Sequence, residues 1–133
     1  MSRENVLRLL QKSAKEISQI LKIKNRTMEV FLVNDRFMRT LKKRFFHRNK
    51  SADVLSFAEP DFFPHPESKK KALGEIYLNW DMHRKNPERT TFLLAHGVLH
   101  LLGYDHFKKN DIIRMERKEK EIMKRLRVLN IRN

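Results

Sequence analysis

The chain has 133 residues, enough for one hydrophobic core, and is read as a single domain spanning 1–133. Its 30 Lys plus Arg outweigh 16 Asp plus Glu, and the net charge of +14 points to a polyanionic partner. With no cysteine there is neither a disulfide framework nor a thiolate metal site, and no apolar run approaches the ~20 residues that cross a bilayer. The first residues, Met1 to Asn5, lack the apolar core of a signal peptide, so a cytoplasmic protein without membrane contact is expected.

From Val6 to Leu21 the apolar residues recur at helical spacing, and this segment is expected to pack on a sheet. Thr27 to Val33, rich in branched and aromatic residues, reads as a strand. Asn34-Asp35 then offers a cap for a short helix carrying Phe37, Met38 and Leu41. The following stretch, Lys42 to Lys50, interleaves cations with Phe45 and Phe46. Cations meet phosphates and aromatic faces stack on unpaired bases, so Arg44, Arg48 and Lys50 are candidate RNA contacts. The plainer expectation is that one of the two phenylalanines anchors the helix end in the core.

Asp53 to Phe57 is a second strand, and the Pro- and Lys-rich stretch over 59–71, which includes His65, is an exposed loop. A third strand spans Ala72 to Trp80. Its alternation sets Leu73, Glu75, Tyr77 and Asn79 against Gly74, Ile76, Leu78 and Trp80, with one face buried. Asn86-Pro87-Glu88 starts a helix: a capping Asn, a proline at the first position and an acid near the positive end. That helix runs to about Leu102, is apolar nearly all round, and is expected to be the central buried one. A last charged helix covers Lys108 to Asn130, with Ile112, Met115, Ile122, Leu126 and Leu129 on one side. Its mixed charges, including Glu116, Glu119 and Glu121, read largely as a solvated face.

The chemistry concentrates at His96-Gly97-Val98-Leu99-His100-Leu101-Leu102-Gly103-Tyr104-Asp105-His106, an H-x-x-x-H-x-x-G-x-x-H pattern. Histidines four apart on a helix lie about 40° from each other around the axis, one turn up, so both imidazoles can meet one ion. Gly103 suits a helix stop that turns the chain back and brings His106 round. A pair of satisfied core histidines is the simpler alternative. Against it, two imidazoles in so apolar a helix need polar partners, and a third arrives within reach. The reading is a tri-histidine site for one Zn²⁺ per chain with an open fourth position, suited also to other divalent transition metals. Asp105 is assigned a role orienting a histidine, or a turn role; His47, His65 and His83 lack companions at ligand spacing. Zinc held by three neutral imidazoles acidifies its water to a pKa of about 7 and polarises a phosphoryl or carbonyl oxygen. Zinc peptidases with H-E-x-x-H-x-x-G-x-x-H carry a general-base glutamate where this chain has Gly97, which weakens a zincin-like metallopeptidase reading.

The motif over 96–106, with Ala52-Asp53-Val54-Leu55-Ser56-Phe57 and Leu73-Gly74-Glu75-Ile76 upstream, resembles the YbeY family of bacterial endoribonucleases from about Met28 onward. The resemblance implies a single-strand-specific metallo-endoribonuclease in 3′-end maturation of small-subunit ribosomal RNA and in ribosome quality control. It places the metal on His96, His100 and His106, and makes ribosomal RNA and the ribosome or small subunit the partners. The chain departs from the family pattern in having Phe45-Phe46 for a Tyr-Arg pair, Ser51-Ala52 for Pro-Thr, and Glu75 for an aspartate. Arg44 or Arg48 would then supply the electrostatic role of the missing arginine. The fold expected is α+β: a small mixed sheet packed against a central metal-binding helix, flanked by helices at both ends. The competing readings are a metallopeptidase or other hydrolase, and a non-catalytic ribosome-binding assembly factor with a structural metal.

Overall fold

The computed structural model describes residues 1–60 and 71–132. Among them the order is α1 (Arg3–Ile20), β1 (Arg26–Val33), α2 (Asp35–Phe46), β2 (Val54–Ala58), β3 (Lys71–Asn79), α3 (Trp80–His83), α4 (Pro87–Leu101) and α5 (Lys109–Arg132). Most of the expected loop over 59–71, with His65, lies outside the described residues, and Lys71 already belongs to β3.

The helix starts are set by side-chain oxygens that accept otherwise orphaned backbone N–H groups. Ser2 accepts from the Asn5 amide, Asn34 from Phe37, Asn79 from Met82 and Asn86 from Arg89. Pro87 follows the Asn86 cap, where its missing N–H costs nothing.

The strand latest in sequence sits in the middle of the sheet, in the order β1-β3-β2. β1 runs parallel to β3, with Phe31 opposite Tyr77, while β2 runs antiparallel, with Leu55 also opposite Tyr77. The register slips between Thr27 and Met28, which pair with Ala72 and Gly74 and leave Leu73 as an extra residue. This bulge breaks the simple alternation read from the sequence. Leu73 turns into the core at 3% exposure instead of sharing a face with Glu75 and Tyr77. The strand also stops one residue earlier than expected. Asn79 caps α3, and Trp80 becomes the first residue of that helix.

α4 lies on the sheet face formed by Ile76 and its neighbours and is wrapped by α1 and α5. Leu94, Ala95, Val98 and Leu99 are fully buried there, beside Leu10 and Ile17 of α1 and Met115 and Ile122 of α5. The close approach depends on Gly97. A Cβ at that position would lie 2.9 Å from Ser56 Oγ and 3.0 Å from Ile76 Cγ2. Ser56 Oγ uses the space to donate to the Gly97 carbonyl at 3.2 Å.

Candidate metal centre

α4 delivers His96 and His100 from the same side, and its end is a Schellman turn. The Gly103 amide donates to the His100 carbonyl at 3.0 Å and the Tyr104 amide to the Leu99 carbonyl at 3.0 Å, with Gly103 at φ 96°. The reversal brings His106 back over the helix. One nitrogen from each of His96, His100 and His106 then lies within 4.8 Å of the other two. The His96 and His100 Nε2 atoms are 3.0 Å apart, and His106 is the exposed member of the three.

The outer nitrogens fix what the inner ones can be. His100 Nδ1 lies 3.0 Å from the Tyr104 carbonyl, an obligate acceptor, so Nδ1 carries the proton and a neutral ring presents a bare Nε2. His96 Nδ1 lies 2.9 Å from Glu119 Oε2, a carboxylate only 5% exposed. If His96 carried its proton on Nε2 to satisfy His100, a bare Nδ1 would face that buried carboxylate. If it carries the proton on Nδ1, two lone pairs face each other across 3.0 Å. With Glu119 ionised, no neutral tautomer of His96 satisfies both contacts. A proton shared there satisfies both, and so does a metal ion held by the two Nε2 atoms; a tetrahedral zinc spaces its ligand nitrogens roughly 3.3 Å apart, close to the spacing seen. The donor set therefore fits a single transition-metal ion. Burial above all, then the imidazoles of His96 and His106, holds the His100 pKa below the usual histidine range, which keeps its lone pair available.

Glu119 is buried at 5% exposure, whereas the mixed charges of α5 point to a solvated face. It sits on α5 four residues after Met115 and three before Ile122, both buried, so it belongs to the apolar stripe. A lone carboxylate inside such a stripe is the signal that marks it. Asp105 Oδ1 accepts from the Phe107 amide at 3.4 Å, a turn contact. The partners at the Nδ1 atoms of His96 and His100 are Glu119 and the Tyr104 backbone.

Arg44, Arg48 and Lys50 are exposed at the end of α2 and in the turn after it, and none bonds to a histidine of the cluster. His47 closes α2 in a left-handed conformation at φ 55°. Neither Phe45 nor Phe46 anchors the core, contrary to expectation; they are 54% and 44% exposed. Both lean on Phe57 of β2, at ring-centroid distances of 5.1 and 6.1 Å, because that strand leaves an aromatic ring on the sheet face away from α4. Arg44 lies 5.7 Å from the Phe45 ring and Lys42 Nζ 4.8 Å from that of Phe46. The turn itself is held by Asn79, 1% exposed, whose amide nitrogen is 3.0 Å from Asp35 Oδ1, 3.1 Å from Ser51 Oγ and 3.1 Å from the Ala52 carbonyl.

Comparison with known proteins bears on the fold and the family. The fold is shared with the solution structure of TM1509 from Thermotoga maritima, at a TM-score of 0.53 and 22% identity over all of this chain and 91% of that one. A protein of Neorickettsia sennetsu described as endoribonuclease YbeY is 33% identical over 95% of this chain and 89% of its own length. Proteins with the same description from Desulforamulus reducens and Thermus thermophilus are 36% and 31% identical, over 73% and 77% of this chain and 70% and 78% of theirs. The profile of the family described as endoribonuclease YbeY matches residues 1–127. The chain belongs to the YbeY endoribonuclease family.

Proposed function

We propose that this chain is a metal-dependent, single-strand-specific endoribonuclease acting in 3′-end maturation of small-subunit ribosomal RNA and in ribosome quality control. The observation that carries the reading is the cluster of His96, His100 and His106, whose ligand nitrogens converge within 4.8 Å of one another while Glu119 and the Tyr104 carbonyl bond the outer nitrogens of His96 and His100. Family membership supports RNA as the substrate, and the +14 charge suits a polyanion.

When bound, the metal supplies a water that ionises near neutral pH and a Lewis acid for a phosphoryl oxygen. The chain's own groups do the rest. Glu119 and the Tyr104 carbonyl hold protons on the outer nitrogens of His96 and His100, fixing ring orientation and leaving Nε2 as the donor. Arg44, Arg48 and Lys50 bind the phosphates of the strand and place one at the cluster, where water or the adjacent 2′-hydroxyl attacks phosphorus and a backbone P–O bond breaks. In this role Arg44 or Arg48 offsets charge that Phe46 cannot. Peptide hydrolysis finds no support at Gly97, where any side chain runs into Ser56 and Ile76.

Replacing His96 with alanine tests the proposal through three readouts: zinc content, melting temperature, and cleavage of labelled single-stranded RNA. Lost zinc and lost cleavage with a folded chain are expected. RNA handling unchanged by H96A, with only a lower melting temperature, would instead favour an assembly factor with a structural metal.

A further inference from the structure

Resting on the RNA-cleavage reading, we propose that Phe107 is a base-stacking platform at the mouth of the histidine cluster. It would take one unpaired base of a single-stranded RNA beside the phosphate to be cut. Phe107 is the most exposed large apolar side chain among the described residues, at 86%, and it is no part of the core cluster. Its ring does nothing for the packing of the fold. Its ring contact is with the third candidate ligand, His106, at 5.7 Å between centroids and 26° between planes.

The backbone that carries the ring is held by local bonds. The Schellman bonds at Gly103 and Tyr104 fix the chain before it, and the Phe107 amide donates to Asp105 Oδ1. Lys108 and Lys109 follow directly and are exposed, so phosphates on either side of a stacked base meet cations. An open aromatic face next to cations is the composition from which single-strand sites are built. Phe45 and Phe46 are less free for this task, because both rest on Phe57 and each already has a cation on its ring.

The test uses the zinc-loaded full chain, F107A and F107W, with a short fluorescein-labelled single-stranded RNA. Binding is read by anisotropy and cleavage by gel. F107A is expected to weaken binding and raise KM by about five- to a hundredfold, the usual effect of removing one base-stacking ring. Its kcat, zinc content and melting temperature should change far less, and F107W should restore binding. A set of RNAs with an abasic site at each position in turn should reveal one sensitive position next to the cut in the wild type and none in F107A. F107A binding and cleaving as the wild type does would overturn the proposal and leave Phe107 as a protein contact. Wild-type binding without cleavage, with F107A still weaker, would keep the platform and remove the nuclease reading. Neither binding nor cleavage by the wild type would remove both.

Discussion

The carboxylate of Glu119 should set the metal affinity of the cluster. It is 5% exposed and 2.9 Å from His96 Nδ1, so the bond is charge-assisted and shielded from water. Such a bond contributes about 1.5–3 kcal/mol, which converts to roughly a ten- to hundredfold change in affinity, the range found when partners of metal-binding histidines are removed. E119Q keeps the shape and an acceptor oxygen but loses the charge, and should weaken zinc binding about tenfold. E119A removes the acceptor and should weaken it about a hundredfold. E119L refills the volume with apolar atoms beside Met115 and Ile122, so it should recover the apo melting temperature lost in E119A without recovering affinity. Affinity would be measured at pH 7.5 by competition with a chromophoric chelator, alongside melting with and without zinc. If E119Q and E119A both bind zinc within twofold of the wild type, Glu119 does not tune the site.

Gly97→Ala should cost about 1–3 kcal/mol, the usual penalty for overpacking, because its Cβ meets Ser56 Oγ at 2.9 Å and Ile76 Cγ2 at 3.0 Å. Thermal melting several degrees below wild type is expected, and an unchanged melting temperature would contradict it. Asp35 has its pKa lowered to about 2, chiefly by the Ser51 hydroxyl and then by Arg39 and Asn79. A carboxylate lowered by folding contributes stability above its unfolded pKa of about 3.9, and that contribution is lost as pH falls toward 2. Asp35→Asn should therefore flatten the acid limb of a stability profile between pH 4 and 2, and an unaltered limb would count against the Asp35–Ser51–Asn79 network. For Arg44 and Arg48, single substitution by glutamine should reduce the salt dependence of single-stranded RNA binding. The slope of log K against log salt should fall by about 0.7 for each phosphate that the variant no longer neutralises. An unchanged slope would place the strand elsewhere on the surface.

The three histidines were legible in the sequence because their arrangement is local. Helical geometry aligns His96 with His100, and Gly103 supplies the reversal that returns His106. The starts of α2 and α4 were legible for the same reason, since Asn34 and Asn86 act within three residues of themselves, whereas Asn79 read as part of the strand that it ends. Glu119 was not, because it reaches His96 only through the packing of α5 on α4, a matter of tertiary contact. The bulge at Leu73 was hidden for a related reason, as it depends on how β1 pairs with β3. Phe45 and Phe46 misled because an apolar side chain at a helix end reads as core, whereas here the sheet's outer face supplies Phe57 as a half-open partner.

The turn that ends α4 has a consequence for how the ion comes and goes. The same short stretch stops the helix, angles the ring of His100 through the Tyr104 carbonyl, and aims His106. Fraying of that last turn would disturb His100 and His106 together, so release of a bound ion is expected to follow it. Hydrogen exchange at the amides of Gly103 and Tyr104 should then report occupancy, slower with an ion held than after a chelator has taken it.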